Sequence, residues 1–344
     1  MAISKKDYAQ KAEELKTELS NKVIECAKNF TNKPERIVEF LKFQSMFYRY
    51  SAKNTMLIES QNPTAQFCGS FKFFKDKGYS INKGEHSMQI FVPTIKTFLE
   101  TEDGDTIALS EATKQQKADY KAGKIKSFQK LYFKVGNVFD ISQTNCPKSD
   151  YPKFLDLGYS SEQHAELIEA LKKFSVEKLN CPVHEDAYSS VTVRGMYNIE
   201  TNEIKISKNF DDTTKLSILS HELGHAILHS KYTQLGKTEI PTVQKEFEAD
   251  AVSVMLYHRF GIELTDSRQS HLSSAFKEYT SIKGYKPEML TESLERANSA
   301  NKEVCDYLNN EFLQTLTHTQ TQTNNVQQPI LPNEIPSVGF VQSM

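Results

Sequence analysis

The feature that most constrains this chain is the run His221-Glu222-Leu223-Gly224-His225, an HExxH pattern. Residues four apart lie on one face of an α-helix, so two histidines at this spacing can bind one metal ion. Glu222 lies beside them and can act as general base on a water held at that metal. The flanking apolar segments LSILS and AILH predict that the opposite face of the helix is buried. The pattern therefore predicts a metal site on a packed helix.

A third ligand is expected from a second helix. Glu246 follows His225 by 21 residues and begins an ExxxD run that ends at Asp250. We predict that Glu246 is the third ligand and that Asp250, one turn further on, holds a ligand histidine through its other ring nitrogen. Glu248, in the same run, is the alternative third ligand.

Two histidines and one carboxylate favour zinc and leave an open coordination position, which is typical of catalytic zinc sites. We therefore expect a Zn²⁺ cofactor and hydrolysis of an amide bond, with Glu222 as the catalytic base. A further donor should stabilise the oxyanion, and Tyr197, Tyr232 and His229 are open candidates. His229 is about 12 Å from His221 along one helix, too far to share the ion. Two alternatives are a surface helix that carries HELGH by chance and a zinc site that only stabilises the fold.

The hydrophobic pattern predicts an α+β chain with two domains. Helices are expected over residues 3–61, followed by a small sheet that includes the segments QIFVPTI and LYFKVGNVFDIS, with an exposed hairpin or loop between them. The second part should contain a capped helix, a β-hairpin that turns near Glu200 and then the two metal-site helices. The predicted boundaries are a first domain at 1–150, a second at 156–314, and a Gln/Thr/Asn/Pro-rich tail at 315–344, which we expect to be disordered.

Charge is unevenly distributed along the chain. Residues 1–150 hold 24 Lys and Arg against 18 Asp and Glu, whereas the remainder hold 18 against 26. A basic first half is consistent with a polyanionic partner. The five cysteines form no CxxC pair and predict free thiols. No apolar run reaches the ~18–20 residues that a membrane helix needs, and the first residues lack the apolar segment of a secretory signal. We therefore expect a cytoplasmic protein without a membrane partner.

The run GMYNIETNEIKISKNFDDTTKLSILSHELGHAILH, followed by EFEADAVSVML, resembles the ImmA/IrrE-like zinc metallopeptidases. The EFEAD element is also similar to the third-ligand segment of gluzincin peptidases. The resemblance covers about residues 180–260. It implies that His221 and His225 bind the metal, that Glu222 is the base, and that Glu246 is the third ligand.

The first half resembles the N-terminal domain of ArdC-type antirestriction proteins and of LtrC-like proteins from conjugative elements. The matching segments are FQSMFYRYSAKNTMLIESQNP, GSFKFFKDKGYSINKGEHSMQIFVPTI and FKVGNVFDISQTN, over about residues 40–146. The resemblance implies single-stranded DNA binding, and pairing with a metallopeptidase is the usual architecture of this family. The chain departs from the family at Phe74, where Trp is common, and at Glu85-His86, where a KGEKG-like turn loses its last lysine.

Lysines alternate with aromatic residues over residues 71–79, a composition found in proteins that bind single strands. The alternative is that Phe71, Phe73 and Phe74 are core residues and that the lysines are merely solvated. The predicted DNA-binding residues are Lys72, Lys75, Lys77, Tyr79 and Lys83.

These observations predict a protein of a plasmid, phage or conjugative transposon with two activities. It would bind single-stranded DNA and carry a zinc endopeptidase that cuts a protein, such as a restriction component or a repressor. The first alternative is a DNA-protecting protein without proteolysis, in which the zinc is structural. In the second alternative, the first domain recognises a protein and has no role in DNA binding.

Overall fold

A computed structural model describes residues 5–101, 104–155, 158–186, 194–235 and 239–320. The predicted α+β class with two regions is confirmed, and the helices predicted around the HExxH pattern are present. The helices are α1 (Lys5–Asn32), α2 (Arg36–Met46), α3 (Ala52–Gln61), α4 (Phe71–Asp76), α5 (Lys114–Lys121), α6 (His164–Leu179), α7 (Asp212–His229), α8 (Lys231–Gln234), α9 (Thr242–Arg259), α10 (Asp266–Thr280) and α11 (Pro287–Gln320).

Two sheets are described. The first has the order β1-β4-β2-β3 with antiparallel pairing, and the second has the order β5-β7-β6, in which β5 runs parallel and β6 antiparallel to β7. The strands are β1 (Cys68–Gly69), β2 (Met88–Glu100), β3 (Thr106–Ala108), β4 (Ser127–Asp140), β5 (Val183–Asp186), β6 (Gly195–Asn198) and β7 (Glu203–Ser207). The hairpin predicted near Glu200 is the β6–β7 pair, although its first residues, 189–193, lie outside the described part.

The first sheet is dominated by the long β2–β4 pair, whose base rests on α3. The side-chain amides of Asn54 and Gln61 each make a pair of hydrogen bonds to the β2 backbone, at Phe91 and at Gln89 respectively, with distances of 2.8–3.0 Å. These amides lie on the edge of β2 that β3 covers only from Phe98 to Glu100, and they satisfy backbone groups near the start of β2 that would otherwise be unpaired. Asn54 is therefore a structural residue.

The two regions share one hydrophobic core, which extends from Leu19 on α1 to Leu308 on α11. Helix α11 joins them through polar contacts as well. The Glu295 carboxylate accepts hydrogen bonds from the backbone N–H groups at the start of α3, and the Asn298 amide donates to the carbonyl of Tyr50. The chain near the predicted boundaries at 150 and 156 is also packed, because Cys146 and Phe154 lie in a small apolar cluster. The domain boundaries at 150 and 156 stay a prediction.

Two local expectations need correction. The stretch predicted as a hairpin or loop contains helix α5, which a capping box between Thr113 and Gln116 starts. The α5 sequence is almost entirely polar, so no apolar period signals it, and capping replaces packing as its stabilisation. Helix α11 continues to Gln320, so the first residues of the predicted tail are helical. Extending a formed helix fixes one residue at a time and needs no new nucleus. Residues 321–344 lie outside the described part.

Within the described ranges, no helix combines the length and apolar character needed to cross a membrane. The five cysteines are free thiols, and four of them are buried.

Candidate metal centre

Helix α7 carries the HExxH pattern and begins with a capped end. The Asp211 carboxylate accepts a hydrogen bond from the Thr214 N–H at 2.7 Å, which satisfies one of the free donors of the first turn. Leu216, Leu219 and Leu223 are fully buried and fix the helix on the core. With these leucines on the buried side of the helix, His221 and His225 lie on the side that faces α9.

A close helix crossing brings the two halves of the site together. A Cβ at Gly224 would lie 2.9 Å from the Ala249 Cα and 3.1 Å from the Ala249 carbonyl oxygen, closer than side chains tolerate. The glycine of HELGH therefore lets α9 approach α7. Glu246 lies one turn before Ala249 and thereby reaches the histidines of α7.

Three side chains present donor atoms to a common point. The Nε2 atoms of His221 and His225 are 3.2 Å apart, and each lies 3.6 Å from Glu246 Oε2. Within the described residues, these three form the group of His, Cys, Asp and Glu side chains whose donor atoms could hold one metal ion. The structure therefore brings together the three ligands predicted from the sequence.

The spacing of these donors fits a small divalent ion. Ligands about 2.0–2.1 Å from a tetrahedral zinc lie about 3.3–3.4 Å from one another, close to the separations here. The donor set, two imidazoles and one carboxylate, suits Zn²⁺ and other first-row divalent metals. Hydrogen bonds with His221 and His225 hold the pKa of the Glu246 carboxyl well below its usual range, so the carboxylate is ionised and available as a ligand.

Asp250 lies behind His221, on the side away from Glu246. Its Oδ1 is 3.0 Å from His221 Nδ1, and its Oδ2 is 3.4 Å from Nδ1 of His271 on α10. Burial opposes ionisation of Asp250, but the two imidazoles lower its pKa to about 2. Burial likewise disfavours a charged His221, yet Asp250 and Glu246 raise its pKa to about 10. A metal ion must displace that proton, so metal binding releases protons. The predicted position of Asp250 beside a ligand histidine is present, and His271 was missed.

A second chain of contacts begins at His225. Its Nδ1 lies 3.1 Å from His229 Nδ1, and His229 Nε2 lies 3.2 Å from Glu248 Oε2. The Glu248 carboxylate also accepts hydrogen bonds from Gln244, Ser293 and Arg296. Glu248, the alternative third ligand, is thus fully buried and held by other groups. The burial of His229 lowers its pKa and keeps its imidazole neutral.

Glu222 is held in place by the second sheet. Its Oε2 accepts a hydrogen bond from the Tyr197 N–H of β6 at 2.7 Å. Gly195 makes this approach possible, because a Cβ there would lie 2.3 Å from Ile218 Cγ2 and 3.5 Å from Glu222 Cγ. Among the described strands β6 lies at the edge of its sheet, and the Tyr197 N–H on its outer edge faces Glu222.

The three oxyanion candidates occupy different surroundings. His229 lies behind His225, where it contacts the ring nitrogen that faces away from Glu246. The Tyr197 hydroxyl donates to Asn202 at 2.9 Å. The Tyr232 side chain is 70% exposed. His229 is therefore not available to an oxyanion, and Tyr197 and Tyr232 stay the candidates.

The predicted DNA-binding residues lie on helix α4 and in the segment that follows it. Lys72 is an exposed residue of α4 that pairs with Asp76 at 2.6 Å, and Lys75 lies on the same helix. Tyr79 donates its hydroxyl to Asp150 and packs against Phe154. Two further lysines follow α4 in the chain. Lys77 is half-buried and Lys83 is exposed. Their role in DNA binding stays a prediction. Of the three neighbouring phenylalanines, Phe74 is buried, Phe73 is half-buried and Phe71 is 57% exposed.

The family comparisons agree with both regions. The profile for the N-terminal domain of anti-restriction factor ArdC matches residues 5–139. The profile for the IrrE N-terminal-like domain of the M78 peptidases matches residues 176–271, which include the three candidate ligands. The chain joins an ArdC-type N-terminal domain to an IrrE-like domain.

Known relatives add context. An uncharacterised protein of Bacillus anthracis is 32% identical over 294 residues, which cover 79% of this chain and 49% of that protein. The chain thus spans about half the length of this curated relative. Two crystal structures of the antirestriction protein ArdC from plasmid R388, one metal-free and one Mn(II)-bound, are similar at 12% and 14% identity with a TM-score of 0.45. They cover 80% and 82% of this chain and each is covered to 97%.

Proposed function

We propose that the IrrE-like domain is a metal-dependent endopeptidase, with zinc as the expected metal. The observation that carries the proposal is the convergence of His221, His225 and Glu246 at the spacing of ligands around one ion, with Glu222 beside them. The match to an M78 peptidase profile supports the same assignment. The open coordination position left by three ligands favours chemistry over a purely structural site.

The chain's own residues divide the work. The metal supplies Lewis acidity when bound. Glu222, oriented by the Tyr197 N–H, takes a proton from the attacking water and passes it to the leaving amide nitrogen. Among the described residues no strand pairs with the outer edge of β6 beside the Tyr197 N–H, and this edge can pair with an extended substrate segment, which would place the scissile bond beside Glu222. The substrate we expect is therefore an extended stretch of a protein, and a restriction component or a repressor remains the proposed partner.

The test compares wild type with Glu222→Gln on a peptide library prepared from a bacterial lysate, with new peptide termini read by mass spectrometry. We expect cleavage by the wild type and a loss of about 100-fold or more in the variant, because general base catalysis contributes roughly 10²–10⁴. Metal content should be equal in both. Equal cleavage by both proteins would refute the assignment. Absence of cleavage with retained metal would favour the alternative, a metal that only stabilises the fold.

A second proposed activity, single-stranded DNA binding by the ArdC-type domain, is supported by the match over residues 5–139 and by the basic first half. The wild type and Glu222→Gln should bind fluorescein-labelled oligo(dT) equally. Affinity should fall steeply with salt, because binding to phosphates releases counterions. No binding at low salt would favour the alternative of a protein-recognition domain. The two activities together support an antirestriction role for a mobile element, in the cytoplasm.

A further inference from the structure

The distal half of the β2–β4 pair carries aromatic and basic side chains on one surface. Residues opposite each other on the two strands include Thr94 with Tyr132, Lys96 with Lys130, and Phe98 with Phe128. Side chains alternate between the two faces of a strand, so all six lie on one face. We call this set, together with Lys134, the ribbon face.

The ribbon face combines aromatic rings with cations. The rings of Phe98 and Phe128 are stacked with centroids 5.7 Å apart, and the Tyr132 ring lies 5.8 Å from Phe98. The Lys96 ammonium is 4.8 Å from the centre of the Tyr132 ring, and the Lys130 ammonium is 5.2 Å from the centre of Phe128. Tyr132 is 37% exposed, so its ring is open to a ligand.

These cations are not neutralised by the protein itself. In the described ranges, neither Lys96 nor Lys130 has an acidic partner, whereas Lys72 on α4 is paired with Asp76. No acidic residue occurs in the strand segments 94–98 and 128–134. Aromatic rings cost free energy when exposed, and unpaired cations attract phosphates. A row of rings between lysines suits a ligand that presents flat bases and a charged backbone.

We propose that the ribbon face is the single-stranded DNA-binding surface, with bases stacked on Tyr132 and the neighbouring rings and with phosphates on Lys96, Lys130 and Lys134. This inference rests on the proposed DNA-binding activity and assigns it to a surface. Sheets that carry exposed aromatic rings bind splayed-out bases in the same manner. A duplex hides its base faces and should bind less well.

The test measures anisotropy of labelled oligo(dT) with wild type, Tyr132→Ala and the double variant Lys96→Ala/Lys130→Ala. Lys302→Ala, which removes a lysine of α11 that is paired with Asp306, is the matched control. Tyr132→Ala should weaken binding by roughly 5- to 150-fold, the equivalent of ~1–3 kcal/mol for one stacked base. The double variant should bind weakly and with a smaller salt dependence. Lys302→Ala should bind as wild type.

Three results would overturn the inference. If the ribbon variants bind as tightly as wild type, the DNA-binding activity stands but lies on another surface. If a duplex of the same length binds as tightly as the single strand, the bases are not recognised by stacking. If the wild type binds no oligo(dT), the DNA-binding activity itself fails.

A second inference comes from the contacts behind His225. If His225 Nε2 offers its lone pair to a metal, its proton must be on Nδ1, which then donates to His229 Nδ1 at 3.1 Å. His229 must in turn carry its proton on Nε2, which donates to Glu248 at 3.2 Å. Arg296 Nη2 on α11 donates to the other oxygen of Glu248 at 2.5 Å. One assignment of protons therefore satisfies all three hydrogen bonds, from His225 through His229 and Glu248 to Arg296.

We infer that His229, Glu248 and Arg296 are positioning residues that fix the tautomer and the ring orientation of His225. Partners of this kind commonly change metal affinity by about 10- to 100-fold. Arg296 follows Glu295, the residue that caps α3 of the ArdC-type domain. The same turn of α11 therefore contacts both the first domain and the series His229–Glu248–Arg296, which we call the relay.

The test is zinc affinity by chelator competition, together with the visible spectrum of the Co²⁺-substituted protein. Glu248→Gln keeps the shape of the side chain but removes its charge, and Arg296→Ala acts from a half-exposed position in case the first variant fails to fold. We expect both variants to lose 10- to 100-fold in zinc affinity and to show a shifted cobalt spectrum. Arg296→Lys should recover part of the zinc affinity. Unchanged affinity and spectrum in a folded variant would refute the relay. Absence of zinc in the wild type would instead refute the metal site.

Discussion

The metal centre and the ribbon face differ in how their charged side chains are paired. At the metal centre, carboxylates, imidazoles and a guanidinium contact one another, as in the set that joins the buried Glu248 and His229 to the half-exposed Arg296. On the ribbon face, Lys96 and Lys130 lie over aromatic rings in solvent. Buried charges must be paired because burial removes their hydration. The difference indicates that pairing fixes the positions of the side chains at the metal centre, whereas the lysines of the ribbon face are available to an external anion.

The largest predicted effect is a difference in stability between variants of the two regions. Phe247 is fully buried on α9 and stacks against Tyr279. Phe247→Ala should lower the free energy of unfolding by about 3–5 kcal/mol, because it removes a buried ring and leaves a cavity. Tyr132→Ala, on the ribbon face, should cost less than about 1.5 kcal/mol, the worth of a partly exposed aromatic pair. Urea denaturation of both variants provides the comparison. Equal losses would mean that the ribbon face is part of the folding core.

A smaller effect concerns the helix crossing at the metal centre. Gly224→Ala should destabilise the protein by about 1–3 kcal/mol and weaken zinc binding, because α9 must move away from α7. Gly136→Ala on β4 is a matched control, since its Cβ would meet the Val92 side chain rather than a helix backbone. We expect the control to keep the zinc affinity of wild type, measured by chelator competition. Wild-type affinity in Gly224→Ala would show that the close crossing is not needed to bring Glu246 to the histidines.

The smallest predicted effect depends on pH. Hydrogen bonds from Lys172 and Lys215 hold the pKa of Glu185 below its usual value. The pair therefore stabilises the fold at neutral pH, and the stabilisation disappears as the pH falls through the lowered pKa. Glu185→Gln should cost roughly 0.2–1 kcal/mol at pH 7, with the gap to wild type closing in strong acid. Lys130→Gln, which removes a cation without an acidic partner, should change stability by the same amount at pH 7 and in acid. A gap to wild type that closes in acid for both variants would contradict the contrast between paired and unpaired charge.

The sequence predicted the parts of the site that depend on helical spacing. His221 and His225 lie one turn apart, and Glu246 and Asp250 repeat that spacing on a second helix, so local geometry sufficed. The relay to Arg296 could not be predicted, because Arg296 follows Glu248 by 48 residues and meets it only through the packing of α11. His271 on α10 reaches Asp250 for the same reason.

The ribbon face was missed for a related reason. Its two strands are separated by α5, so the pairing of Lys96 with Lys130 depends on a register that the sequence does not display. The alternation of lysine and phenylalanine near residue 72 drew attention instead. That segment is helical, and alternation with a period of two does not place residues on one face of a helix. The alternating segment FQKLYFK within β4 was the available signal.

The central claim is that His221, His225 and Glu246 form a metal centre. The most direct measurement is the metal content of purified wild type, His221→Ala and the control His184→Ala, by elemental mass spectrometry without chelators. His184 is exposed on β5 and contacts none of the three ligands. The account predicts one zinc or other divalent ion per chain in wild type and in His184→Ala, and its loss in His221→Ala. Metal-free wild type, or metal retained in His221→Ala, would contradict it.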